Sequence, residues 1–236
     1  MSSPMITPVP DTVCATAPDV VLSGRSLVKS YGSSQALRGV SVELRHGEIF
    51  AVTGPSGSGK STLLLCLAGV LRPDSGEVRF AGRRIDGEGE SARAALRRRE
   101  FGVLFQFGQL VAEMTAAENV ALPLLLGGAR RRAAQAAARG WLTRFGVEEL
   151  ADKLPGELSG GQSQRIALAR ALVTEPAVLF ADEPTGALDT LAGEAVMGEL
   201  TRIARDVGTA VMLVTHDARV ASYSDREIAV RDGLVR

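Results

Sequence analysis

Gly54-Pro55-Ser56-Gly57-Ser58-Gly59-Lys60-Ser61 fits the pattern G-x-x-x-x-G-K-[ST] at every required position. Glycines at these positions let successive backbone N–H groups turn inward around phosphate oxygens. A helix starting at the end of the loop adds its partial positive charge, and Lys60 reaches the outer phosphates. The Ser61 hydroxyl suits a Mg²⁺ ligand, and Pro55, Ser56, Ser58 and Thr62 complete the expected phosphate-binding set. Such a loop implies a nucleoside triphosphate without saying what is done to it.

The next clue is Val178-Leu179-Phe180-Ala181-Asp182-Glu183. So continuous an apolar strand is buried on both faces, and it delivers two carboxylates at its C-terminal end, where parallel sheets bind ligands. Asp182 suits the shell of a Mg²⁺ ion, and Glu183 suits a general base for water attacking the γ-phosphate. A third segment, Leu158-Ser159-Gly160-Gly161-Gln162, precedes an apolar-faced helix. Ser159 is a natural N-cap and the two glycines expose N–H groups at the helix start. That makes a second phosphate-binding surface, although taken alone the segment reads more readily as a capped helix start.

The elements that must hold these groups alternate in type. Strands are expected at Val20–Leu27, Gln35–Leu44, Glu48–Thr53 and Glu77–Phe80, with turns at Tyr31-Gly32 and His46-Gly47. Ser61–Val70 has the apolar density of a buried helix, and Arg83–Arg99 reads as a solvated helix or loop. Helical patterns at Ala116–Leu126 and Arg130–Phe145 make about 100–160 a helical insertion. Helix and strand alternate again through Gln162–Val173, Ala177–Ala181, Thr190–Val207 and Ala210–Thr215. The expected fold is α/β: a P-loop NTPase core with a mostly parallel sheet, an N-terminal antiparallel β portion and an inserted helical subdomain. Residues 1–19, rich in Ser, Thr and Pro, read as a disordered leader, and 20–236 as the folded domain.

Composition narrows the function. Among 236 residues, 27 Lys and Arg balance 27 Asp and Glu, which removes the electrostatic argument for a dedicated nucleic-acid binder. Two cysteines, Cys14 and Cys66, are too few for a disulfide scaffold, and two histidines, His46 and His216, argue against a histidine-built metal centre. Apolar runs such as Leu63–Leu71 fall short of the roughly 20 residues of a spanning helix, so any membrane connection comes through a partner.

The order of Tyr31, the Gly54–Ser61 loop, Gln106, Leu158–Gln162, Val178–Glu183 and His216 resembles the ATP-binding-cassette (ABC) ATPases, from about Val20 to Arg236. The resemblance implies two cassettes packed head to tail, with the Ser159-Gly160-Gly161-Gln162 turn of one closing over ATP in the phosphate loop of the other. It further implies that Tyr31 stacks on adenine and that Gln106 senses Mg²⁺ and the attacking water while linking to the membrane partner. Asp189 would communicate between subunits at the composite nucleotide site, and His216 would hold the γ-phosphate. Gly108–Leu110 and Thr115–Leu124 look like the cassettes of lipoprotein-release, macrolide-export and related permeases. The resemblance therefore implies ATP and Mg²⁺, a homodimer, a separate integral-membrane permease, and a place on the cytoplasmic face of the membrane. Export or extrusion of a lipophilic or peptide-like substrate is the expected work. The alternative is a permease complex that signals mechanically to cell-wall enzymes; a soluble cassette acting on nucleic acid or ribosomes fits less well.

Overall fold

The computed structural model describes residues 19–105 and 110–236. The leader expected at 1–19 lies outside the described residues except for Asp19. That residue is part of the folded domain, since its carbonyl accepts the His46 N–H at 3.0 Å.

Two sheets make the framework. The first is antiparallel, with strands β1 (Val20–Tyr31), β2 (Ser34–Arg45), β4 (Ser75–Phe80) and β5 (Arg83–Arg84) in the order β2-β1-β4-β5. The second is built on β3 (Ile49–Thr53), β6 (Phe101–Leu104), β7 (Val178–Asp182), β8 (Ala210–Val214) and β9 (Arg226–Arg231), all parallel. A short antiparallel edge, β10 (Leu234–Val235), completes it in the order β10-β9-β3-β8-β7-β6.

Alternation along the central strands explains their unbroken apolar sequence. Ile49 and Ala51 of β3, Leu179 and Ala181 of β7, and Val211 and Leu213 of β8 enter one core cluster. Phe50, Val52, Val178, Phe180, Met212 and Val214 enter the other. Successive side chains of a strand point to opposite faces, so a sheet covered on both faces needs apolar residues at every position. One face carries helix α1 (Lys60–Leu67) and the antiparallel sheet. The other carries α5 (Gly160–Leu172) and α6 (Thr190–Val207), with α3 (Ala116–Leu126) and α4 (Arg131–Arg144) packed beside them.

Several elements differ from expectation. Phe101–Leu104 falls inside the stretch read as helical insertion, yet it forms β6, pairing with β7 in parallel. At four residues it is too short to show a period of two. The Arg-rich stretch forms α2 (Glu90–Glu100), but it is not simply a solvated helix. Leu96 packs against the core, Arg93 is buried and Arg97 donates to the Gly69 carbonyl at 2.6 Å, so arginines share the inward face with the apolar residues. The strands β9 and β10 and the short helix α7 (Ala218–Ala221) were not expected, although Asp232-Gly233, both at positive φ, is a two-residue hairpin turn between β9 and β10.

Candidate nucleotide site

The phosphate loop runs from the end of β3 into α1, and two of its glycines are required by what surrounds them. A Cβ on Gly54 (φ +140) would lie 2.1 Å from the Val230 carbonyl oxygen. One on Gly59 (φ +106) would lie 2.3 Å from that of Ala36. The loop is thus clamped by backbone from β9 and β2, and Gly233 in the β9–β10 turn adds a hydrogen bond from its N–H to the Ser58 carbonyl at 3.0 Å. Within it Lys60, 7% exposed, donates to the carbonyls of Gly54 and Pro55, each at 2.8 Å. Its ammonium is therefore held inside the loop's curve. The buried Ser58 hydroxyl has no hydrogen-bond partner among the described residues. Tyr31, half exposed, lines one cavity of about 210 Å³ with Gly57, Gly59, Lys60, Ser61 and Thr62. Pro55 and Ser56 stand exposed at the loop's rim.

Across from the loop, β7 ends on the two carboxylates. Burial pushes the Asp182 carboxyl above its usual range. A hydrogen bond with Ser61 opposes this, the neighbouring Glu183 charge adds to it, and Lys60 draws it back down. Ser61 and Asp182, the expected metal pair, are therefore in direct contact as oxygen donors. Glu183 has φ +48, a left-handed conformation that costs a non-glycine residue on the order of 1–2 kcal/mol. Its N–H donates to the Val214 carbonyl at 2.8 Å, and its carbonyl accepts the Gly186 N–H at 3.0 Å. Gln164 of α5 donates to the Pro184 carbonyl and fixes the next residue. The turn swings the Glu183 side chain onto the loop after β8. There Thr215 donates its hydroxyl to Oε2 at 3.1 Å and His216 Nδ1–H donates to Oε1 at 2.6 Å. Thr215 is a site residue that the motifs missed. No sequence signal marks it, because its role depends on β8 lying beside β7.

The Ser159 turn has the capping-box geometry. Gln162 N–H donates to Ser159 Oγ at 3.3 Å, and Ser159 N–H donates to Gln162 Oε1 at 2.9 Å. Ser159 and Gly160 are exposed, and a Cβ on Gly160 or Gly161 would meet Leu188 at 3.3 Å or Ala192 at 3.7 Å. This turn thus sits against the segment that carries Asp189, whose carboxylate caps α6 by accepting the Ala192 N–H at 2.9 Å. Gln106 lies outside the described residues. Further along, buried Asn119, a residue given no role from the sequence, bonds both backbone groups of Val111 and the carbonyls of Met114 and Thr115.

A phosphate cradle at the end of one parallel strand, facing a carboxylate pair at the end of another, defines a P-loop nucleoside triphosphatase. A family model described as ABC transporter matches residues 37–186, and the chain belongs to that family as an ATP-binding, ATP-hydrolysing subunit. The chain is 42% identical over 216 residues to the lipoprotein-releasing system ATP-binding protein LolD of Porphyromonas gingivalis, covering 92% of this chain and 99% of that one. It is 48% identical over 200 residues to LolD of Gluconobacter oxydans, covering 84% and 86%. Among solved structures it resembles the dimeric cassette MJ0796 in a post-hydrolysis state bound to ADP and Pi, with TM-score 0.84 and 35% identity over 91% and 96% of the two chains. Among the described residues no helix is long and apolar enough to cross a membrane.

Proposed function

We propose that this chain is one of two identical cassettes that close head to tail on MgATP and drive a separate integral-membrane permease releasing lipoproteins. It would work at the cytoplasmic face of the membrane. The observation that carries the reading is the meeting of Lys60, Ser61, Asp182, Glu183 and His216 at the ends of the adjacent strands β3, β7 and β8.

In this reading Lys60 and the N–H groups of Gly57 and Gly59–Thr62 hold the β- and γ-phosphates, and Tyr31 stacks on the adenine. Ser61 and Asp182 would hold Mg²⁺, joined by Gln106; a hard cation favours such oxygen donors, and when bound it neutralises charge on the phosphates. Glu183 takes the proton of the attacking water. Thr215 and His216 hold its carboxylate in place, and the exposed His216 ring, with both nitrogens protonated, would donate Nε2–H to the γ-phosphate. Ser159, Gly160, Gly161 and Gln162 would contact the nucleotide of the second cassette, with Asp189 between the two sites. Support for the dimer comes from the dimeric cassette it resembles, and for lipoprotein release from the relatives' names. Those relatives do not favour the alternative of mechanical signalling to cell-wall enzymes.

The permease would dock in the groove of about 680 Å³ beside β6, where Val70, Phe105, Leu122, Pro123 and Leu126 present apolar surface. Leu122, Pro123 and Leu126 belong to α3, in the helical insertion that also follows Gln106 in the chain.

Mixing two damaged chains tests the closure in trans. Ser159→Arg blocks the capped turn and spares its own phosphate loop, whereas Lys60→Ala does the reverse. With Glu183→Gln in both, the mixture should crosslink γ-labelled ATP between loop and turn at about one nucleotide per dimer, while neither chain does so alone. No crosslink on mixing would remove the head-to-tail dimer.

A further inference from the structure

The loop that carries His216 is tied to the start of α6 by hydrogen bonds that no motif contains. Thr215, which holds Glu183, also accepts the Asp217 N–H on its hydroxyl at 3.1 Å. Asp217 caps α7: Oδ1 accepts the Arg219 N–H at 2.8 Å, and Oδ2 accepts from Arg219 Nη2 at 2.8 Å. The other arm of the guanidinium, Nη1, donates to Thr190 Oγ1 at 3.1 Å. Thr190 is the first residue of α6, next to its cap Asp189. A planar guanidinium fixes the directions of its donors, so the position of Asp217 constrains that of Thr190.

Two further observations argue that this bridge is more than a fastening. Arg219 and Asp217 are 60% and 32% exposed, and an ion pair so open to water contributes little to folding. Beneath the bridge lies a small cavity of about 60 Å³ lined by Leu188, Asp189, Gly193, Met197, Val220 and Tyr223. The Asp189 segment is therefore not fully seated on packed side chains there. Leu188 packs against the core and Asp189 caps α6, but on the cavity side the tie to the segment is the Arg219 bond to Thr190, with a long contact of 3.4 Å from the Tyr223 hydroxyl to the Glu194 carbonyl one turn further along α6.

We infer that Arg219 is a positioning residue that couples the His216 loop to the Asp189–Thr190 segment. Engagement of His216 by a nucleotide then sets the segment that faces the second cassette. The inference rests on the proposed roles of His216 and Asp189. It gives coupling within one chain a physical link: an element that both sites contact.

Amide hydrogen exchange on the full-length chain tests it, with magnesium and a non-hydrolysable ATP analogue. The protein is diluted until light scattering shows monomer, so that no partner covers the segment. The analogue should slow exchange over residues 185–193 by about fivefold or more in the wild type. In Arg219→Ala, and equally in Thr190→Val, that slowing should disappear, while protection of the Gly54–Ser61 loop and affinity for the analogue stay within about twofold. The double variant should match either single variant, because both cut one link. Slowing over 185–193 that survives in Arg219→Ala, or effects that add, would overturn the inference. So would a wild type protected at the phosphate loop but not over 185–193. A wild type protected at neither place overturns the nucleotide-site assignment itself, and the inference with it.

Discussion

Replacing Glu183 with Gln isolates proton transfer from everything else this residue does. The carboxylate holds two partners, Thr215 Oγ1 at 3.1 Å and His216 Nδ1 at 2.6 Å. A glutamine amide turned with its oxygen towards His216 keeps that bond and points its NH₂ at the Thr215 hydroxyl. That hydroxyl already accepts the Asp217 N–H and has a second lone pair. The folded site should therefore survive, at a cost no greater than about 1 kcal/mol for rearranging one hydrogen bond. Affinity for ATP should stay close to wild type, since Lys60 and the loop N–H groups are untouched. Hydrolysis should not. A positioned general base contributes about 10²–10⁴-fold, on the order of 3–5 kcal/mol of barrier, and an amide cannot take the proton. Calorimetric titration with ATP and single-turnover phosphate release measure the two effects separately. Unchanged affinity with turnover within about tenfold of wild type would refute the general-base role. Lost affinity would show instead that the Glu183 turn shapes the phosphate cradle.

Three further changes test other parts of the account. Gly54→Ala puts a Cβ 2.1 Å from the Val230 carbonyl oxygen at φ +140, so the loop must shift; urea unfolding should show a loss of about 1–3 kcal/mol, with ATP binding weakened in the same protein. Asp86, 9% exposed, accepts the buried Val78 N–H at 2.8 Å and pairs with Arg84. Burial pushes its carboxyl up, but those partners win and hold it below the usual range. Its stabilisation is therefore full above the unfolded value of about 3.9 and is lost as pH falls through the folded value. Asp86→Asn should cost about 1–3 kcal/mol at neutral pH and flatten the acid side of the stability curve; an unaltered acid limb would disprove the assignment. Leu126, 61% exposed at the groove beside β6, should tolerate Glu with little change in stability or in ATP turnover of the isolated chain. Recovery of the permease with the cassette from solubilised membranes should nonetheless fall. Undiminished recovery would move the docking surface elsewhere.

The groups that do chemistry announced themselves in sequence because phosphate chemistry constrains type and spacing locally. The Gly54–Ser61 loop, the acids at the end of β7 and the Ser159–Gln162 capping box each lie within a few consecutive residues, where backbone geometry alone relates them. The buried central strands were legible for the same reason, as continuous apolar runs covered on both faces. The short β6 strand, the packed arginines of α2 and the place of β9 beside β3 were not, because each is defined by a neighbour distant in the chain. Only the tertiary structure shows that Gly54 and Gly59 must be glycine because β9 and β2 press against them. It alone joins Ser61 to Asp182 and Glu183 to Thr215 and His216. These pairs are about 30 to 120 residues apart in sequence, and local preferences do not reach that far. Strand order sets them side by side: β3, β8 and β7 are adjacent in one parallel sheet and end at the same edge.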